Sequence, residues 1–320
     1  MTDSTASSIL PDGDLWPDLP LNEWQDTYAT LHLWTQIVGK IRLVQTPWLN
    51  HSWHVALYVT SRGLTTSPIP FGNRTCQIDF DFIAHQLLIS VSDGSGATLA
   101  LAPRTVADFY GELMATMAGL GLGVTIHTTP NELVDGIAFE QDYVHATYDA
   151  QHAHRLWRAL VQADRVLKAF RSRFIGKCSP VHFFWGSFDL AVTRFSGRPA
   201  PEHPGGVPHG PDWVMREAYS HEEYSCGFWP GGGPVPYPVF YAYAYPEPAG
   251  FSTAAMRPAS AVYENTLREF ILPYDEVRRA ASPDALLLEF LQSSYEAAAR
   301  LGQWDRPALE RNEPAHSAMA

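Results

Sequence analysis

The sequence predicts an α+β protein: an antiparallel sheet built from two helix-meander-helix units, with long helices packed on one face. Three observations lead there. Two segments read alike, Leu33-Trp34-x-x-Ile37-Val38-x-x-x-Arg42 and Leu156-Trp157-x-x-Leu160-Val161-x-x-x-Arg165. Each follows an aspartate at the same offset, Asp26 or Asp149, where a helix N-cap would sit, and each leads to a strand that opens on histidine, His54 or His182. Within each half, helical periodicity then gives way to strand alternation broken by turn signals, as a meander requires. An internal duplication would give this order, although any two amphipathic helices share apolar positions.

Taken in order, residues 1–19 are rich in Ser, Thr, Asp and Pro and are expected to be mobile. A single domain is expected over residues 20–305, with a first unit at 20–128 and a second at 145–305. Trp24, Tyr28, Leu31, Trp34, Val38 and Ile41 recur at helical spacing, and Pro47 ends the run. Alternation follows in 54–60, 76–82 and 86–91, separated by Gly72-Asn73 and Asp93-Gly94. A helix capped by Thr105 carries Phe109, Leu113 and Met117 and stops near Gly119 or Gly121. The second unit opens with a helix from Ala150 to about Phe174, closed by Gly176, whose buried stripe is expected to be Leu156, Leu160, Val161, Leu167 and Phe170. One strand is expected from Val181 to Phe195. A Gly/Pro-rich insertion at 197–238 has no counterpart in the first unit. Strands resume at 239–245 and near 270–272, and a last helix runs from Pro283 to Leu301 between Ser282 and Gly302. Residues 306–320 read as a flexible tail.

Composition narrows the function. Against 34 Asp plus Glu stand 22 Lys plus Arg, a net charge of -12 that repels phosphate backbones and anionic lipid, so neither nucleic acid nor membrane is an expected partner. The three cysteines show no CxxC spacing, which argues against a disulfide framework or a structural zinc site. No signal segment and no long apolar run is legible, and a soluble cytoplasmic protein is expected. The sequence fixes no oligomeric state.

Three stretches carry a family resemblance: Thr27 to Arg42; Ser179-Pro-Val-His-Phe-Phe-Trp-Gly-Ser-Phe-Asp-Leu-Ala-Val-Thr-Arg-Phe-Ser-Gly197; and Arg216-Glu-Ala-Tyr-Ser-His221 with Gly227-Phe-Trp-Pro-Gly-Gly-Gly233. They resemble a bacterial family catalogued as domain of unknown function 5996. The resemblance spans nearly the whole chain and implies no activity, cofactor or catalytic residue.

Chemistry is therefore sought in the residues. The block from Ser179 to Tyr245 concentrates His182, Trp185, Asp189, Arg194, His221, Glu222 and Trp229 with Tyr241 and Tyr243. Alternation puts the tyrosines on one strand face and Ala242 and Ala244 on the other, so a helix can pack closely while hydroxyls line a pocket. Ordinary sheet core would also use such aromatics. His54, His182, Asp189, His221 and Glu222 are the acid-base candidates, because imidazole titrates near neutrality and a carboxylate fixes its tautomer. A strand-end histidine bonded to backbone is the structural alternative. Lys40 and Lys177, each after glycine, with Arg194, are candidate anion contacts, unless the lysines simply complement helix C-termini. His51 and His54 form H-x-x-H, but would need a third ligand such as His182 or His221, and no metal site or cofactor is assigned.

Two functions fit. One is a small-molecule-binding protein or enzyme, with an aromatic pocket beneath the 197–238 insertion. The other is a non-catalytic interaction or assembly module that docks a partner through the Trp/Pro-rich loop. Orientation separates them: Trp213, Phe228 and Trp229 folded over a cavity favour a ligand, and the same residues turned outward favour a partner.

Overall fold

The computed structural model describes residues 15–311 and has seven α-helices and two six-stranded antiparallel sheets among them. In the first unit, helix α1 (Leu21–Gln45) leads through a 3-10 turn (Asn50–Ser52) into β1 (Tyr58–Val59), β2 (Gly63–Thr65), β3 (Ile69–Phe71), β4 (Arg74–Asp81), β5 (Gln86–Val91) and β6 (Gly96–Ala100). Helix α2 (Val106–Gly119) follows. The second unit runs α3 (Ala150–Arg171), β7 (His182–Phe184), β8 (Asp189–Pro199), α4 (Asp212–Ala218), β9 (His221–Trp229) and β10 (Val239–Tyr245). It ends with β11 (Val262–Glu264), β12 (Glu269–Pro273), α5 (Tyr274–Arg278), α6 (Pro283–Leu301) and α7 (Arg306–Leu309).

The sheet orders are β1-β2-β4-β5-β6, with β3 on β4, and β11-β12-β10-β9-β8-β7. The helix-meander-helix order is thus present in both halves, but as two sheets. They meet at one reciprocal pair of bonds, Leu57 N–H to Phe183 C=O and Phe183 N–H to Leu57 C=O, both 2.9 Å. One apolar cluster runs through both units, from Trp16 to Ala299. Among the described residues, no helix is long and apolar enough to cross a membrane.

Helix α1 begins amphipathic and is then buried without interruption from Thr30 to Arg42. A single apolar stripe is therefore too small a description of it. Its polar side chains must find partners inside the protein, since an unpaired buried donor or acceptor costs about 1–3 kcal/mol. Thr27 Oγ1 and Thr30 Oγ1 accept the backbone N–H groups of Asp149 and Thr147, at 2.9 and 3.2 Å, which ties the helix to the start of α3.

Local rules explain most of the remaining ends. Thr105 caps α2 by accepting from Asp108 N–H, and Asp149 caps α3 by accepting from His152 N–H. Asp26 is not a cap: α1 starts earlier, after Pro20, and Asp26 lies inside it. Helix α3 stops at Arg171, ahead of Gly176, and Lys177 lies beyond its last turn, whereas Lys40 is interior to α1. The strand expected from Val181 to Phe195 is a hairpin, turning at 185–188 with Phe188 in the left-handed region (φ 59). Bulky apolar residues occupy that turn, so alternation alone continues through it. The stretch 197–238 is no simple loop, because β9 inside it is the strand between β8 and β10. Trp16 and Leu19 are buried and α7 is helical, so packing reaches into both segments expected to be mobile; residues 1–14 and 312–320 lie outside the described chain.

Two glycines in helices give opposite predictions. A β-carbon at Gly39 would lie 2.3 Å from the Trp185 indole, whereas one at the exposed Gly111 would meet nothing within 4 Å. Gly111→Ala should stabilise by about 0.5–1 kcal/mol through helix propensity. Gly39→Ala should destabilise by about 1–3 kcal/mol through overpacking. Urea unfolding midpoints of the two variants check both signs.

Candidate functional site

The two faces of the second sheet differ completely. Leu190, Val192 and Arg194 of β8, with Tyr224, Cys226 and Phe228 of β9, point to α3 and α6. Ala242 and Ala244 let α6 approach β10, as the alternation predicts. The opposite face carries Asp189, Ala191 and Thr193, then Glu223 and Ser225, then Tyr241 and Tyr243, then Glu269. These form the floor of a cavity of about 560 Å³. Its roof comes from Trp48, the 3-10 turn and α4, and its mouth from Asn131 and Glu132.

The roof is pinned by Trp48 Nε1–H to Glu217 Oε2 at 2.7 Å and by His51 Nδ1–H to Ala218 C=O at 2.8 Å. That leaves His51 Nε2 as an acceptor, and Lys177 Nζ donates to it at 2.6 Å. Burial lowers the pKa of His51, in agreement with a neutral ring in this arrangement.

Asp189 accepts from Ser187 Oγ at 2.5 Å and from the Tyr241 hydroxyl. The tyrosine reaches it across β9 because position 227 is glycine: a β-carbon there would sit 2.6 Å from Tyr241 Oη. Tyr243 and Tyr219 share a hydroxyl pair at 2.9 Å. Glu223, Glu269 and Glu132 accept no hydrogen bond from any described residue's side chain.

Burial dominates their titration. Desolvation raises Asp189 and pushes Glu223 well above the usual carboxylate range, with Lys177 acting weakly against it. Glu269 is raised to about 8, first by burial and then by repulsion from Asp189 and Glu264. Glu132 is open to solvent at the mouth yet ringed by protein atoms, which raise it to about 7, with Asp189 adding repulsion. Groups titrating near neutrality in a partly dry cleft can give and take protons.

Helix α1 sets these walls. His32 Nε2–H donates to Gly186 C=O at 2.8 Å, at the β7–β8 turn. Gln36 clasps Asn131 twice, accepting from its N–H at 2.8 Å and donating to its C=O at 2.9 Å. Glu132 follows with left-handed backbone (φ 64), its carboxyl lying on Gly186, where a β-carbon would be 2.0 Å from Oε1. Gly39 leaves the space filled by the Trp185 indole, which donates to Val55 C=O at 2.8 Å.

Of the residues singled out from sequence, Asp189, Trp185, Trp229, Tyr241 and Tyr243 line the cavity. Others lie elsewhere. His54 is buried, with Nδ1 accepting from Leu49 N–H, and packs on Trp48. His182 is on the floor face but sealed under Trp53 and Tyr58, and burial lowers its pKa to about 3. Neither histidine pairs with a carboxylate. His221 contacts His51 at 5.9 Å between ring centres, outside the cavity lining. Glu222 alternates to the other face and binds Arg198. Arg194 is buried between sheet and helices, 3.5 Å from the Phe170 ring centre. Lys40 donates to Thr129 C=O at 2.5 Å, and Lys177 is held by His51, so neither is a free anion contact. Among the described residues, no three His, Cys, Asp or Glu side chains converge to hold a metal ion, and His51 and His54 diverge.

Sequence reasoning missed Glu132, Glu223 and Glu269. Glu223 was within reach, since strand parity from Trp229 back through Ser225 places it inward. Glu269 opens a strand and shows no such context, and Glu132 sits in a loop with no signal at all.

The carboxyls bind protons more tightly folded than unfolded. Their contribution to stability is full below the ordinary carboxylate pKa near 4 and is lost as pH rises through the folded values. Between pH 5 and 9, stability should fall as Glu269 titrates, by on the order of a few kcal/mol, with Asp189 and Glu223 acting in the same direction. Glu269→Gln should flatten that slope. Urea midpoints across the range measure it, and a slope equal to wild type would contradict the assigned burial.

No curated protein and no solved structure matches this chain. A family model described as a family of unknown function, DUF5996, matches residues 16–311, nearly all of the chain and every wall of the cavity. The chain belongs to that family.

Proposed function

We propose that the protein binds a small molecule in this cavity, and that any acid-base chemistry there is done by carboxyls, not by the histidines. One observation carries the reading: four carboxyl groups face a single aromatic cavity, three of them without a hydrogen-bonding side chain. Volume and lining are those of a ligand site, concave and mainly apolar with a few convergent polar groups. Glu269 and Glu132, at about 8 and 7, are tuned for proton exchange at neutral pH. Asp189, bound by Ser187 and Tyr241, is fixed in position and suits orienting a substrate.

Two of the three aromatic residues of the Trp/Pro-rich stretch support this over partner docking. Phe228 is fully buried on the helix side, Trp229 lines the cavity, and Trp213 stands at the rim against Trp48 with 4.8 Å between ring centres. Phe228 and Trp229 are thus turned inward, whereas Trp213 is 53% exposed and Trp48 42%, so the rim pair alone faces outward.

The test is native mass spectrometry of the protein purified from its own host, beside Ser225→Trp, which fills the floor of the cavity. The expected result is a bound small molecule in wild type that is lost in the variant, with circular dichroism unchanged. Wild type carrying nothing, together with no thermal shift from a chemically diverse small-molecule library, would overturn the proposal.

A further inference from the structure

We propose that the ligand is an organic cation: a protonated amine on an apolar or aromatic body. This rests on the cavity being a small-molecule site and names the class that the site selects. The lining contains Glu132, Asp189, Glu223 and Glu269 and not one lysine or arginine. Lys177, the cation electrostatically coupled to Glu223, is spoken for: its ammonium donates to His51 and lies 5.5 and 5.0 Å from the Trp53 and Phe195 ring centres. An anionic ligand would find no cationic side chain in that lining to pair with, whereas a cation favours the ionised form of each carboxyl it approaches.

Glu223 supplies a second, independent observation. It is 5% exposed, accepts no hydrogen bond from a described side chain, and lines the cavity. A carboxyl so placed costs free energy unless something in the cavity satisfies it. A protonated amine would do so with up to three N–H donors.

The shape of the acidic lining selects among cations. The carboxyls are spread over the floor and the mouth, and no three ligating groups converge on a point. A bare metal ion needs convergent donors at short range, whereas an extended organic cation can place its charge at one carboxyl and its body elsewhere. The same lining includes the indoles of Trp53, Trp185 and Trp229. Aromatic faces attract cations and stack on flat apolar bodies, so one wall serves both parts of such a ligand. The net charge of -12 draws cations towards the mouth.

Isothermal titration of the full chain with charge-matched probes decides the matter. Tryptamine, tryptophol and indole-3-propionate share one body and carry an ammonium, a hydroxyl and a carboxylate; phenethylamine, 2-phenylethanol and 3-phenylpropionate form a second set. At about pH 8, the amines should bind at least tenfold more tightly than their neutral and anionic partners. Glu223→Gln should weaken the amines about tenfold and move the alcohols less than twofold, with Glu269→Gln as a second variant should the first fail to fold. Alcohols or carboxylates binding as tightly as the amines would overturn the cation inference and leave the ligand site standing. No binding by any probe, with no cationic molecule in the native mass spectrum, would overturn the inference as well; a neutral or anionic molecule found there would do so while supporting the site.

Discussion

The middle of α1 is buried on every side, and that constraint organises the site. From Thr30 to Arg42 every residue is buried, so His32, Gln36, Lys40 and Arg42 have to spend their donors on the protein. They do so on carbonyls of segments that have no regular structure of their own: Gly186, Asn131, Thr129 and His54. Those segments are the turn below Trp185, the mouth carrying Glu132, and the start of the roof. A helix usually presents one face to a core. Here the polar side chains of the enclosed segment from Thr30 to Arg42 work as clips, and the cavity is the space between the clipped loops.

The second sheet shows how one layer can combine a stable face and a costly one. Towards the helices it is packed with aromatic and aliphatic groups, and even Arg194 is enclosed by Phe170, Phe174 and Tyr295 while donating to Phe170 C=O. Towards the cavity it exposes carboxyls whose neighbours raise their pKa. Desolvated acids on a strand weaken a fold, and groups kept in such positions are candidates for function on physical grounds alone. The single run of apolar contacts linking both units provides the stability against which that weakening is set.

Much of this was legible in the residues, and the failures have physical causes. The limits of α2 and α6, the caps at Thr105 and Asp149, and the inward tyrosines of β10 follow from local rules and were readable, whereas the start of α1 and the end of α3 were not. The hairpin at 185–188 was not, because Trp185 and Phe188 keep an apolar rhythm through a turn whose only local signal is Gly186. The placement of β9 was hidden by its flanks: glycine and proline on both sides made a central strand look like part of a loop. For the site, parity identified Asp189, Tyr241 and Tyr243 correctly. His182 misled because a ring that titrates near neutrality in water loses that property when sealed under Trp53 and Tyr58. The pair of glycine-lysine motifs drew attention to the wrong residue in one case, since at 39 the glycine, by admitting Trp185, matters more to the cavity than Lys40 does.

Helix α4 has not a single buried residue, although it covers the cavity. It is attached at its far end by Glu217 and Ala218 and contributes nothing to the shared apolar cluster. Its sequence is therefore only weakly coupled to folding. Substitutions at Trp213, Val214 and Met215 should cost the scaffold little, while Asp189, Glu223 and Glu269 beneath are held by strand register. The roof is a part of this fold that can change without the floor changing with it.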